Sequence, residues 1–472
     1  METLQRTANR GSVAPAVAYE IDNSLKFEPD NSEYIYRTPS SAGNRKTWTL
    51  SFWIKRTELA DGSNTMRVFE AWDGSTGTSG LFTAGDAFIL DLNAGSNYFT
   101  SSALFRDTSA WSHFVIRVDT TSGTASERAR VYVNGSELAG SWNSNIGQNT
   151  DLTWNQDVAH NFARFHNNDS FVSGYYAEII NVDGTSLAPT AFGEVDEDSG
   201  IWIPIDASPT YGTNGFKLEF KTAGGLGADT SGNGHTWSLN AIAAADQATD
   251  TPTNNFCIMN VLNGTSSDIA TTQGGTKVAN SGSSMCSMNG SIGVSSGKWY
   301  WECRFANDPG NTNTVFVGIA AANDPYVPHT NNYLGQQSGY GSIGWYFVNG
   351  GIYNGTGTWA GPGYGNIIMF ALDMDNLKLY FGKEGTWQNS SDPAGNSNGI
   401  SIATSFTNLT GGTDIILPSI SITGGDNMDS MNFGGFANYT QSSAASDANG
   451  YGTFEYAPPS GYYAICTKNL LV

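Results

Sequence analysis

The feature that most constrains this chain is a two-residue alternation of large apolar side chains in short runs. In TWTLSFWIK (Thr47–Lys55), Trp48, Leu50, Phe52 and Ile54 fall on one side, and Thr47, Thr49, Ser51, Trp53 and Lys55 on the other. KWYWECRF (Lys298–Phe305) alternates in the same way. A period of two is that of a pleated strand with one face turned to a core. No segment carries a convincing 3.6-residue period, and the only helical candidate, Pro189–Gly193, is one turn at most. The runs recur at roughly ten-residue spacing with Gly- and Asn-rich turns between them, which is the signature of a sandwich or jelly roll.

Composition narrows the class further. Aromatics make up 12% of the 472 residues and supply enough bulk for real cores, while only 14% of residues are charged, against roughly 25% in an average globular chain. Lys and Arg total 22 and Asp and Glu 43, a net charge of −21. Phosphate contacts need cations, so no nucleic-acid partner is expected. No run of 18 apolar residues is present and the first twenty residues lack an apolar stretch, so neither membrane insertion nor a secretory signal is expected.

Four segments are expected. Residues 1–19 are a polar docking arm, ordered by a neighbour. Residues 20–193 form a first sandwich, in which His113–Val118 and Arg128–Val133 pair and Asn134-Gly135 closes a tight turn. Residues 194–254 are an ordered connector, with strand-like stretches at Gly215–Phe220 and Thr236–Asn240. Residues 255–472 form a second sandwich. The four cysteines, Cys257, Cys286, Cys303 and Cys466, match no zinc spacing and read as buried thiols. A Cys303–Cys466 bridge stays open, since both lie in strand-like runs.

Catalytic signatures are weak. Glu194-Val195-Asp196-Glu197-Asp198-Ser199 is the nearest string to the E-x-D-x-x-E of retaining glycosidases. It lacks the last Glu and reads as a solvated acidic turn. The histidines, His113, His160, His166, His235 and His329, are scattered, and no nucleophile elbow or phosphate loop occurs. No catalytic residue and no required cofactor are expected. Asp229 with Asn233, and Asp196 with Asp198, are the candidate oxygen ligands for a structural calcium, although such strings commonly form turns. Binding is the better expectation. Tyr326, Tyr333, Tyr340, Trp359, Tyr364 and Trp387 lie amid Gly and Asn in the second half, where flat rings and amides suit sugar or protein contact. The alternative is that these rings cap the core.

TWTLSFWIKR (Thr47–Arg56), WSHFVIRVD (Trp111–Asp119), RVYVNG (Arg130–Gly135) and GYYAEIINVDGTSL (Gly174–Leu187) resemble the strands of LamG, or concanavalin A-like, jelly rolls. SSGKWYWECRF (Ser295–Phe305), VFVGIA (Val315–Ala320), SIGWYFVNGGIYNG (Ser342–Gly355), IIMFALDMDNLKLYFGKEG (Ile367–Gly385), LPSISI (Leu417–Ile422) and APPSGYYAICT (Ala457–Thr467) resemble a SPRY domain. The pairing, with DTSGNGHTW (Asp229–Trp237) and DTPTNNF (Asp250–Phe256) between, is similar to structural proteins of tailed, marine-type bacteriophages. The resemblance implies an all-β chain of two concanavalin A-like sandwiches with an extended N-terminal arm. It further implies a virion structural protein of the tail, made in the host cytoplasm: a tail fibre or receptor-binding component that adheres to a host-surface glycan or protein. Its partners would be other tail proteins and copies of itself, trimers by analogy. The alternatives are a capsid decoration or tail-hub protein, and a polysaccharide-degrading tail enzyme.

Overall fold

The computed structural model describes residues 19–60, 65–305, 314–324, 327, 331–336, 341–354, 359, 361–405, 415–423 and 430–470. The expected arm, apart from Tyr19, lies outside them. Among the described residues no α-helix exceeds four residues, and no helix is long and apolar enough to cross a membrane.

The first sandwich has two eight-stranded sheets. One, here the joint sheet, runs through Ser136–Glu137, Ala129–Val133, Ser112–Asp119, Thr47–Arg56, Gly174–Asp183, Ser24–Phe27 and Gln247–Ala248, with Phe216–Leu218 also paired to Gly174–Asp183. The other, the open sheet, runs through Gly140–Trp142, Tyr98–Leu104, Ala87–Asp91, Gly77–Phe82, Met66–Trp72, Ala159–Phe162, Tyr34–Arg37 and Ser238–Asn240. The alternation in Thr47–Arg56 works as the sequence implies: Trp48, Leu50, Phe52 and Ile54 enter the core between the sheets. At the hairpin, Asn134 and Gly135 both take positive φ (48° and 78°), which the tight turn requires. The segment 194–254 is woven into this body: Phe216–Leu218, Ser238–Asn240 and Gln247–Ala248 add strands to it, and Phe216, Leu218, Phe220, Leu226 and Trp237 fill its core.

The second sandwich stacks a five-stranded sheet (Cys286–Asn289, Ile416–Ile422, Val315–Ala321, Ser342–Tyr346, Ile352–Tyr353) on a seven-stranded one. The latter is centred on Lys298–Arg304, Ile367–Asp373 and Lys378–Lys383. Trp299, Trp301 and Cys303 point into the core, and Tyr300 points to the outer face. Cys466 packs on that outer face with Phe454 and Tyr462. Cys303 and Cys466 therefore lie on opposite sides of one sheet. The disulfide left open by the sequence is absent, and all four cysteines are free and buried. Buried Glu302 pins the C-terminal segment over this face. It accepts from Tyr300 Oη (2.8 Å), Tyr439 Oη (2.9 Å) and the backbone N–H groups of Glu455 (2.9 Å) and Tyr456 (2.8 Å).

The outer face of the joint sheet is buried as well, because the second sandwich sits on part of it. Lys26 Nζ, 1% exposed, reaches Glu33 Oε1 (3.0 Å), Asp246 Oδ1 (2.9 Å) and, across the joint, Gln273 Oε1 (3.0 Å). Lys55 Nζ, fully buried, reaches Asp250 Oδ2 (2.7 Å), Asn255 Oδ1 (2.7 Å) and Phe256 O (3.2 Å). Tyr175 Oη donates to Gly274 O (2.9 Å), the Gln273 N–H donates to Glu28, and Tyr175 and Phe436 pack together. A buried ion pair offsets its desolvation only when the remaining polar atoms also find partners. Each ammonium group has three oxygen partners, and in the Lys26 network Glu33 Oε2 is left without a hydrogen-bond partner among the described residues.

Two predictions follow from this joint. Lys55→Met leaves Asp250 buried without its cation, and a loss of about 3–5 kcal/mol is expected in urea denaturation. Glu58, half-buried, has its pKa pushed up to about 8, first by burial and then by the Glu28 charge, against 4.5 for the ordinary carboxyl. Between those values the folded chain holds a proton that the unfolded chain has released. The contribution of Glu58 is thus complete below pH 4.5 and is lost as the pH rises through 8. Glu58→Gln should match the parent at pH 4 and exceed its urea midpoint at pH 8.5.

Candidate functional site

Four of the six rings nominated from the sequence are described; Tyr326 and Tyr340 lie outside the described residues. Tyr333 lies flat on Phe316 (4.4 Å, 5°) and edge-on to Tyr353, outside the five-stranded sheet. Trp387 stands edge-on to Tyr300 (6.5 Å), outside the seven-stranded sheet. Trp359 meets Trp345 and Phe381, and Tyr364 meets Phe305 and Phe347, both against the rim of the core. All four are half-buried. They cap three separate parts of the second sandwich and share no single surface.

The calcium candidates hold donors. Asp229 Oδ1 accepts from Lys217 N and Ser231 N (both 2.9 Å), and Oδ2 accepts from Ser231 Oγ (2.9 Å) and His235 N (2.8 Å). The Asn233 amide donates to Gly212 O and Gly215 O. A carboxylate filled by N–H and O–H groups is organising a turn. Asp196 likewise accepts from Ser199 N (2.7 Å) and Oγ (2.6 Å) at the tip of an exposed hairpin, Gly193–Val195 with Trp202–Pro204, and these bonds hold its pKa below the usual range. Among the described residues no three of His, Cys, Asp and Glu group as metal ligands.

The histidines separate by burial. His113 accepts from Trp202 Nε1 at Nδ1 (2.9 Å), so its Nε2–H donates to Ser51 Oγ (2.8 Å), and Trp53 stacks on it at 4.6 Å. Burial pushes its pKa down to about 3. His160 accepts from Asn155 N at Nε2 and donates from Nδ1 to Val158 O, and burial pushes its pKa down to about 4. His235 bonds the Thr213 carbonyl (2.7 Å). His329 lies outside the described residues.

His166 differs, and it marks a site that the sequence did not single out. On Met66–Trp72 a register shift between Arg67 and Phe69 puts the consecutive Val68 and Phe69 into the core with Ala71, and leaves Arg67, Glu70 and Trp72 on the outer face of the open sheet. Residues 163–172 fold back over that face, held by Ala163 N to Val68 O (3.0 Å) and Arg67 N to Ser170 O (2.7 Å). Ala163, Asn168 and Ser170 all take positive φ there. That is a concentration of strained backbone such as binding loops often carry. His166 lies parallel to Trp72 (4.3 Å, 1°), and the Trp72 ring also packs closely against Gly77. The His166 backbone N–H (2.7 Å) and Nδ1 (3.1 Å) both reach Glu70 Oε2. Glu70 is 2% exposed while the imidazole is 28% exposed. Burial raises the Glu70 pKa, and the Arg67 charge draws it back. Alongside, Arg67 lies 4.2 Å over Phe165, Arg164 lies 3.8 Å over Tyr34, and Tyr36 is 39% exposed. The result is a row of ordered rings and cations with open polar edges. It is suited to stacking and hydrogen bonding, with His166 Nε2 aimed outward from its bond to Glu70.

Residues 29–179 match the laminin G-type family described as the concanavalin A-like lectin/glucanases superfamily. The first sandwich thus contains a LamG, concanavalin A-like domain. No curated protein matches the chain. Solved structures similar to it include the SPRY domain of human HERC1 (16% identity, 37% of this chain and 96% of that one, TM-score 0.28). Others are a heptameric SAP-like pentraxin from Limulus polyphemus (18%, 36% and 80%, 0.28) and domain 4 of AbnA, an arabinanase from Geobacillus stearothermophilus (18%, 31% and 65%, 0.24).

His166→Ala removes both the cap on Trp72 and one donor to a buried carboxylate. A loss of roughly 1–3 kcal/mol and stronger acrylamide quenching of tryptophan emission are expected. Adding Glu70→Leu should recover part of the stability, since it removes the carboxylate left short of a donor.

Proposed function

We propose that this chain is a structural protein of a bacteriophage virion, a tail-fibre or receptor-binding component that adheres to a glycan or protein of the host surface. The observation that carries the reading is the outer face of the open sheet, where His166, stacked on Trp72 and held by Glu70, stands half-exposed among Tyr34, Tyr36 and Arg164. A face of fixed rings costs little ordering on contact, which suits adhesion. The welded pair of sandwiches supports the same reading, since a rigid mount transmits force without yielding. The phage setting rests on the paired sequence resemblance described above, as do the expected self-association and tail partners.

The acidic run Glu194–Asp198 supports a non-catalytic role. It lies at the exposed tip of a hairpin whose Asp196 serves its own turn, and Glu194 is itself exposed.

Fluorescently labelled full-length chain should bind cells of a susceptible host in flow cytometry, and His166→Ala should weaken that binding about tenfold, or 1.4 kcal/mol. Unchanged binding by the variant removes the open sheet as the contact. Incubation with host envelope polysaccharide should release no new reducing ends, and their appearance would establish the degrading enzyme instead.

A further inference from the structure

A second recess lies where the sandwiches meet, remote in the chain from the residue 163–172 loop. It has a volume of about 320 Å³, within the roughly 300–1,000 Å³ of small-molecule sites. One wall is the leading segment Glu20–Asp22 with Thr251 and Thr253 of the first body, and the other is Tyr451–Thr453 with Lys468 of the second. Buried Ile21 and Phe256 also line it.

The walls are fixed before any ligand arrives. Thr253 Oγ1 accepts from Ile21 N (3.2 Å) and donates to Ile21 O (2.9 Å). The Asn254 side chain accepts from Lys468 N (3.3 Å), and Asn255 N donates to Thr467 Oγ1 (3.0 Å). Lys468 Nζ spans the mouth to Glu20 Oε2 (2.5 Å) and lies 5.3 Å over the Tyr451 ring. Against this occupied frame, three groups have no hydrogen-bond partner among the described residues: the Asp22 carboxylate, the Tyr451 hydroxyl and the Thr453 hydroxyl.

We propose that this inter-sandwich cleft is a binding site for the terminal residue of a neutral glycan. The inference goes beyond the adhesin reading, since it places a recognition site that exists only when both sandwiches are present. A carboxylate accepts two sugar hydroxyls, and two hydroxyls give or take one each. The tyrosine ring packs against the outer-face cluster of the second sandwich and under Lys468 Nζ, so it is held in place and presents its hydroxyl to the recess. Charge selects against acidic sugars. Glu20 and Asp22 face a single Lys468, which leaves one negative charge in excess, in a chain whose net charge is −21. Because the walls are already ordered, a ligand loses little to reorganisation.

The test titrates the full chain with the methyl glycosides of glucose, galactose and N-acetylglucosamine, and with glucuronate and sialic acid, by calorimetry and saturation-transfer NMR. At least one neutral glycoside should bind, and the acids should bind more weakly. Asp22→Asn and Thr453→Val should each weaken the neutral sugar about fivefold, and Tyr451→Leu should abolish its NMR signal. The side chain of Asp22 is exposed, so Asp22→Asn should keep the parental melting temperature and remains informative if Tyr451→Leu is unstable. The proposal is overturned if no neutral glycoside binds, if the acids bind as tightly, or if Asp22→Asn and Thr453→Val both retain full affinity. It is overturned equally if His166→Ala abolishes binding, since the sugar then sits on the open sheet. Host adsorption is not among these readouts, so failure of the adhesin reading leaves the result interpretable.

Discussion

Two buried lysines hold this molecule in one piece. Lys26 and Lys55 stand on the outer face of the joint sheet, where a β-sandwich would ordinarily meet water, and each ammonium is surrounded by oxygens drawn from distant parts of the chain. An apolar joint between two slabs can slide, because apolar contact has no direction. A buried charge cannot, because any shift that strips an oxygen from it exposes the full desolvation cost. The network therefore fixes the angle between the sandwiches, and with it the walls of the cleft that opens beside Lys468 and Glu20.

The same logic extends to the other surfaces. Sandwiches bury one face of each sheet and leave the other to be dealt with. Here the joint sheet is covered by the second sandwich, by Phe192 and the connector residue Ala207, and by Trp202 on its hairpin. The seven-stranded sheet is covered by the C-terminal segment pinned on Glu302. The five-stranded sheet carries Phe316 under Tyr333 and Leu334. The open sheet is treated differently. Among the described residues its cover is one short loop, 163–172, that carries half-exposed His166. That contrast, more than any single ring, directs attention to it.

The aromatic residues show how composition misleads about place. Trp359, Tyr364 and Trp387 sit among Gly and Asn in the sequence, which suggests exposure, yet Trp359 leans on Trp345 and Phe381, Tyr364 on Phe347 and Phe305, and Trp387 on Tyr300 of the outer face. His166 reads in the sequence only as one of five scattered histidines in polar surroundings, and Trp72 carries no signal of its own at the end of its strand. Only the pairing of Ala159–Phe162 with Met66–Trp72 brings the loop over the tryptophan. A signal was available in hindsight: Arg67, Glu70 and Trp72 fall outside the apolar set of their strand, an unusual group of side chains for a merely solvated face.

The sequence by itself determined the sandwich class, strands such as Thr47–Arg56, Ser112–Asp119, Gly174–Asp183 and Lys298–Arg304, the Asn134-Gly135 turn, and the inward residues of Thr47–Arg56 and Lys298–Arg304. Each of these follows from local stereochemistry: a side-chain period of two, and positive φ at a tight turn. It did not determine that Cys303 and Cys466 face away from each other, that residues 216–218 and 238–240 complete the first body, or that Lys26 and Lys55 are buried. Those outcomes depend on which strands become neighbours and which face of each sheet is later covered. Such choices are made by contacts between residues some 200 positions apart, as Lys55 and Asn255 are, and a local pattern carries no record of them.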